Sequence, residues 1–143
     1  MRVADFLEGG GGRVATIRAS ETVGSLARQL QSRRIGVMVV SDNGHTIDGI
    51  ISERDIAYSL AERRGELHLL PVSALMVRRV ITCTPSDTMV HVMELMKQHH
   101  VRHVPVQEAG RLVGVVSIRD ILEFRLSQIE RKADLALLSQ IVD

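Results

Sequence analysis

The chain has 143 residues, 45% hydrophobic and 24% charged, the balance of an ordinary globular protein with one compact domain or two very small ones. Its net charge of +1 and its three aromatics (Phe6, Tyr58 and Phe124) argue against a nucleic-acid binder, which needs a surplus of cations or a base-stacking platform. No apolar run reaches the ~20 residues of a membrane span, and the glycine-rich start lacks the basic-then-apolar order of a signal peptide. Cys83 is the single cysteine, so no intrachain disulfide forms and a reducing, cytoplasmic setting is expected.

In chain order, residues 3–7 read as a short lead-in helix, and the glycines at 9–12 as a flexible connector. Residues 14–22 then align with 80–88 at an offset of 66: Val14 with Val80, Thr16 with Thr82, Ser20 with Ser86, Thr22 with Thr88. The offset holds through an amphipathic helix, with Val23, Leu26, Ala27 and Leu30 matching Met89, Val92, Met93 and Met96. A strand follows in each copy (residues 36–40 and 103–106), then a turn around Gly44 or Gly110. After the turn the offset drops to 65, and Gly49, Ser52, Arg54, Asp55 and Ile56 match Gly114, Ser117, Arg119, Asp120 and Ile121. Each unit thus reads β-α-β-β-α. A second lead-in at 72–76 resembles the first.

The expected fold is a mixed α+β sandwich of two pseudo-twofold repeats packed sheet to sheet about a shared core. The boundaries read as lead-in and connector at 1–13, repeat 1 at 14–64, a linker with its lead-in at 65–79, repeat 2 at 80–126 and a helical tail at 127–143. Leu122, Leu126, Ile129, Ala133 and Ala136 recur at alternating spacings of four and three. That stripe is expected to pack on a partner chain or back on its own body.

The matched Ser-x-Arg-Asp segments, Ser52 to Asp55 and Ser117 to Asp120, each sit where an apolar strand gives way to a helix. Ser-x-x-Asp is an N-terminal capping arrangement. Capping does not require the recurring Arg. A helix start favours anions, an Arg beside it suits a phosphate, and a carboxylate accepts from both hydroxyls of a ribose.

Gly-hydrophobic-hydrophobic-Ser-x-Arg-Asp at 49–55 and 114–120, with Thr82 to Pro85 and the Val104-Pro105-Val106 strand, resembles the cystathionine-β-synthase-type (CBS) domain family, as a tandem pair often called a Bateman module. The resemblance implies clefts for AMP, ADP, ATP or related adenosyl ligands, with the Asp on the ribose and the Ser near phosphate. Carried over, one cleft joins Ser52, Arg54 and Asp55 to Thr82, Val101, Arg102 and His103. The other joins Ser117, Arg119 and Asp120 to Thr16, Ile35, Gly36 and Val37. Repeat 1 departs from the pattern where Ala19 stands for Pro85 and Val39 for Pro105.

Three rival readings fare worse. His91, His99, His100 and His103 lie near a helix end and lack a metal-ligand spacing. No nucleophile–base set, phosphate loop or dinucleotide fingerprint supports an enzyme. Arg33-Arg34, Arg63-Arg64 and Arg78-Arg79 read as solvated charge rather than a DNA-binding face. The expected function is a non-catalytic, homodimeric adenine-nucleotide sensor acting on an unidentified partner protein, with no nucleic acid, membrane or metal involved. An NAD(H) sensor and a ligand-free scaffold are the alternatives.

Overall fold

The structure, a computed structural model, describes residues 1–63 and 65–142. Its elements run α1 (Val3–Glu8), β1 (Thr16–Ile17), α2 (Val23–Arg33), β2 (Val37–Val40), β3 (Gly49–Ser52), α3 (Glu53–Glu62), 3-10 turns at Leu67–Leu69 and Val72–Ala74, α4 (Met89–His99), β4 (His103–Glu108), β5 (Arg111–Ser117) and α5 (Ile118–Val142). Matched residues start and stop matched helices. Thr22 and Thr88 accept at 3.0 Å from the N–H groups of Ser25 and His91, capping α2 and α4. Both helices end on a left-handed residue, Arg34 or His100. Val23, Leu26 and Leu30 are buried, as are Met89, Val92 and Met96, but Ala27 is exposed and Met93 only half-buried.

In the first sheet, order β1-β2-β3, β1 lies parallel to β2 with Thr16 opposite Val39, and β2 lies antiparallel to β3 with Val37 opposite Ser52. In the second, β4 pairs antiparallel with β5, with an irregularity between Val106 and Gln107. The counterpart of β1 has shrunk to a single parallel bridge between Cys83 and Val106. One residue explains the loss. The Val39 N–H donates to the Ala15 carbonyl at 3.0 Å, whereas Pro105 at the matching position has no N–H to offer. The bonds that do not need that donor persist in both repeats, Ser41 N–H to Ile17 and Gln107 N–H to Cys83, each at 2.9 Å.

The expectation of one shared core gives way to two. Ile17, Leu26, Leu30, Met38, Val40, Ile51 and Val72 form one buried cluster; Val3, Cys83, Met89, Val92, Met96, Val104, Val106, Val116 and Ile121 form the other. Each cluster is completed by the other repeat's lead-in. Val3, fully buried, caps the second core, and its N–H donates to the Asp87 carbonyl at 2.8 Å. Val72, equally buried, caps the first, and its N–H donates to Glu21 at 2.7 Å. The lead-ins differ in form, a six-residue α-helix against one 3-10 turn, but they are exchanged in the same sense.

The exchange explains the motif glycines. A Cβ on Gly49 would come within 2.9 Å of the Val77 carbonyl oxygen, and one on Gly114 within 2.5 Å of the Leu7 side chain and 3.2 Å of the Gly12 oxygen. At both places the returning lead-in crosses the strand where only a hydrogen fits. The first connector is therefore packed rather than loose: the Gly12 carbonyl accepts from Val115 at 3.2 Å. At the far end, α5 buries Ile121 and half-buries Phe124, then leaves the body, and residues 129–141 are exposed throughout.

Candidate functional site

Both strand-to-helix junctions carry the same closed capping box. At the first, the Ser52 N–H and Oγ donate to Asp55 Oδ2 at 2.8 and 3.0 Å, and the Asp55 N–H donates back to Ser52 Oγ at 3.3 Å. At the second, Ser117 and Asp120 repeat those bonds at 2.7, 2.9 and 3.2 Å. The single hydroxyl proton of each Ser is thus directed at its Asp. Its remaining capacity is as an acceptor, which a phosphate oxygen does not need. Asp Oδ1 takes no part in the capping and is the atom a ribose hydroxyl would meet. The next N–H, of Glu53 or Ile118, donates to the carbonyl of Gly36 (2.9 Å) or Arg102 (2.8 Å). Of the first three helical N–H groups, those of Arg54 and Arg119 are the ones these bonds leave unengaged.

The hydrogen bonds gather each motif with the start of the middle strand of its own repeat. Ser52 is paired with Val37 and adjoins Gly36; Ser117 is paired with His103 and adjoins Arg102. Ile35 and Val101, just before those strands, are half-buried and pack on their own cores. Thr16 stands on β1 opposite Val39, two residues along β2 from Val37. Thr82, its counterpart, accepts from Gln107 Nε2 at 3.2 Å and keeps its own proton free to donate.

The repeats touch where the Leu112 N–H donates to the His45 carbonyl at 2.7 Å, and charges of both repeats reach His103. Burial is the main influence on its ring and holds its pKa below the ordinary value. The carboxylates of Asp120 and Glu53 pull upward, and Arg102 and Arg54 push down. Glu53 and Arg54 belong to the first repeat, so charges from both helix starts reach this imidazole. Glu53 is the residue that sequence reasoning missed. Its carboxylate lies over Gly36, 3.2 Å from where a Cβ would stand. The signal was there, because Glu53 faces Ile118 and Gly36 faces Arg102 in an otherwise matched alignment. The Asp55 motif therefore has an acid beside it, and the Asp120 motif has Arg102 and His103.

Two surface concavities, of about 580 and 380 Å³, lie elsewhere. They are lined by Arg18, Ser20, Asp42 and Ser73, and by Thr16, Gln29, Ser41 and Asn43 among others. Ser41 follows Val40, which pairs with Gly49, so these hollows open at the end of the first sheet opposite Ser52. Their walls join turn residues to β1 and α2, and they include Thr16, which the resemblance assigns to a cleft; the Ala19 N–H donates to Asp42 Oδ1 at 3.3 Å across one of them. Cys83 is buried and its thiol is pushed up to about 12, chiefly by desolvation and further by Asp87. It packs in the core as a small apolar residue. Arg33, Arg34, Arg63, Arg78 and Arg79 are exposed, and Arg64 lies outside the described residues. Among the described residues no group of three or more His, Cys, Asp and Glu gathers as metal ligands, and no helix is long and apolar enough to cross a membrane.

Comparison with known proteins agrees with this architecture. The CBS domain family matches twice, over residues 12–62 and 72–127. The CBS-domain containing protein ATU1752 from Agrobacterium tumefaciens superposes with a TM-score of 0.82 at 34% identity, covering 87% of this chain and 99% of that one. The CBS domain pair of protein MJ0100, solved with 5'-methylthioadenosine and S-adenosyl-L-methionine, gives 0.77 at 25% identity over 90% and 98%. The CBS domain-containing protein CBSCBSPB1 of Arabidopsis thaliana is 25% identical over 85% of this chain, which spans 22% of that protein's length. Two matches in tandem, on two repeats of one design, make this chain a member of the CBS domain family, with one domain pair built from its two halves.

Proposed function

We propose that this domain pair is a regulatory module that binds an adenosyl ligand, preferentially AMP, ADP or ATP, between its repeats. We further propose that it acts as a homodimer on a partner protein in the cytoplasm. The observation that carries the reading is the cluster about His103. There Asp120, with an Oδ1 that its capping box does not use, and Arg102 act on the same ring as Glu53 and Arg54 of the other repeat. Asp120 suits a ribose and the cations suit a phosphate. The similarity to MJ0100, whose domain pair was solved with two adenosyl compounds, supports the same ligand class. The two motifs are not equal in this reading. Arg102 and His103 adjoin the Asp120 motif where Gly36 and Val37 adjoin the Asp55 motif, so the Asp120 site is the stronger for nucleotides.

Calorimetry with AMP, ADP, ATP, NADH, S-adenosylmethionine and methylthioadenosine tests this. A charge-assisted hydrogen bond contributes about 1.5–3 kcal/mol, so AMP is expected to bind about 10–100-fold more tightly than methylthioadenosine. Arg102→Ala removes a cation but keeps the backbone carbonyl that holds Ile118, and is expected to erase most of that preference. A phosphate beside His103 favours the protonated ring, so AMP affinity should rise as pH falls toward the lowered pKa of that ring while methylthioadenosine affinity stays flat. If no adenosyl compound binds, the reading fails and a ligand-free scaffold becomes the better account.

A further inference from the structure

We infer that the projecting end of α5 pairs in parallel with the same helix of a second copy of this chain. The inference takes from the proposed function only that two copies associate; it does not assume that a ligand binds. α5 runs unbroken over 25 residues, about 37 Å at 1.5 Å per residue. Its first turns belong to the second core through Ile121. From residue 129 to 141 nothing in the protein covers it. A helical stretch of that length is marginal in water unless an apolar face is packed.

That face exists. Leu122, Leu126 and Ile129 are 56, 59 and 62% exposed, and with Ala133 and Ala136 they keep the alternating four-three spacing of a two-helix seam. The seam is large at its start and small at its end, so two helices would approach more closely toward Ala136. Leu137, 57% exposed, flanks that narrow part.

The charges beside the seam select the occupant and its direction. Glu123 and Glu130 fall along one edge, Arg125 and Lys132 along the other. When two such helices lie parallel, the basic edge of each meets the acidic edge of its mate, and Arg125 faces Glu130 twice by symmetry. Laid antiparallel, acid would face acid and base would face base. A helix with unlike edges therefore complements its own copy in one orientation. Exposed ion pairs add little strength, so the apolar seam supplies the association and the charges supply its polarity.

Variants of the full chain with one added cysteine, Leu122→Cys and Ala136→Cys, treated separately with a short bis-maleimide, test this directly. The parent is the control, because its one thiol, Cys83, is buried. Both variants are expected to give a two-copy band. An antiparallel pair centred on Ile129 would cross-link only a mixture of the two variants, and that result would overturn the inference. In sedimentation, Arg125→Glu should weaken the dimer several-fold, and adding Glu130→Arg should restore it. A parent chain that stays single removes the pair and the homodimer together, leaving the stripe to a different protein. A dimer in which neither cysteine links keeps the homodimer and sinks the helix pairing. Neither outcome bears on nucleotide affinity.

Discussion

The two repeats share one frame and differ where the frame makes no demand. Both have a Thr-capped helix, a Ser–Asp box closed by three bonds, and a glycine that lets the opposite lead-in cross. Three of the positions at which they differ matter most. Val39 against Pro105 decides whether the parallel edge strand has two residues or one bridge. Glu53 and Gly36 against Ile118 and Arg102 decide whether a motif is flanked by an acid or a cation. The first alters the sheet without touching the motif, and the other two alter the motif's charge without touching the sheet. Duplication with this separation lets one half change its ligand preference while both halves keep the packing that joins them.

The comparison can be broken most forcefully at the sheet. Val39→Pro should copy the second repeat's defect into the first, leaving the Ala15 carbonyl without its 3.0 Å donor. An unsatisfied group of this kind costs about 1–3 kcal/mol, read as a lower urea midpoint at unchanged slope. The reverse change, Pro105→Val, offers a donor to the Ile81 carbonyl and should be neutral or gain up to about 1 kcal/mol. A loss as large as that of Val39→Pro would show that Pro105 is not what shortens the second strand.

Next in size are the capping acids. Asp55→Ala and Asp120→Ala each remove the acceptor of two bonds, and each should cost about 0.5–2 kcal/mol, nearly equally because the two boxes have nearly equal geometry. Nucleotide affinity should separate them, with Asp120→Ala weakening AMP more. Equal weakening would mean that Arg102 and His103 do not distinguish the sites.

The smallest effect sharpens the contrast in charge. His103 is held below its ordinary pKa by burial, so between the folded and unfolded values the unfolded chain binds more protons. Its contribution is fully present above pH ~6.5 and is lost as pH falls from there toward the folded value. His103→Gln should flatten the acid side of the stability–pH curve over that window. An unchanged slope would assign the acid sensitivity to other groups.

Much of this was legible before any coordinates. Period-3.6 apolar spacing located α2 and α4, and the repeated Ser-x-Arg-Asp located both junctions. What periodicity cannot say is which partner an apolar segment chooses. Val3 and Val72 look alike, and either core would bury either one, so the exchange of lead-ins was invisible. The glycines at 9–12 suggested slack because composition records the freedom of a residue and not the neighbours crowding it. The resemblance joins Arg102 and His103 to Ser52; strand pairing also sets them beside Ser117, while charges on Glu53 and Arg54 reach His103 from the first motif. The alignment already held the asymmetry at Glu53, but its meaning depended on Gly36 lying beneath that side chain.

The exchanged lead-ins also govern how the chain can be made. During synthesis the residues around Val3 emerge well before the second repeat, yet the carbonyl that receives the Val3 N–H belongs to Asp87, 84 positions later. The leading segment must stay unsettled until the far half has left the ribosome. For the same reason a protease cut between the halves would release two pieces that each carry the other's lid.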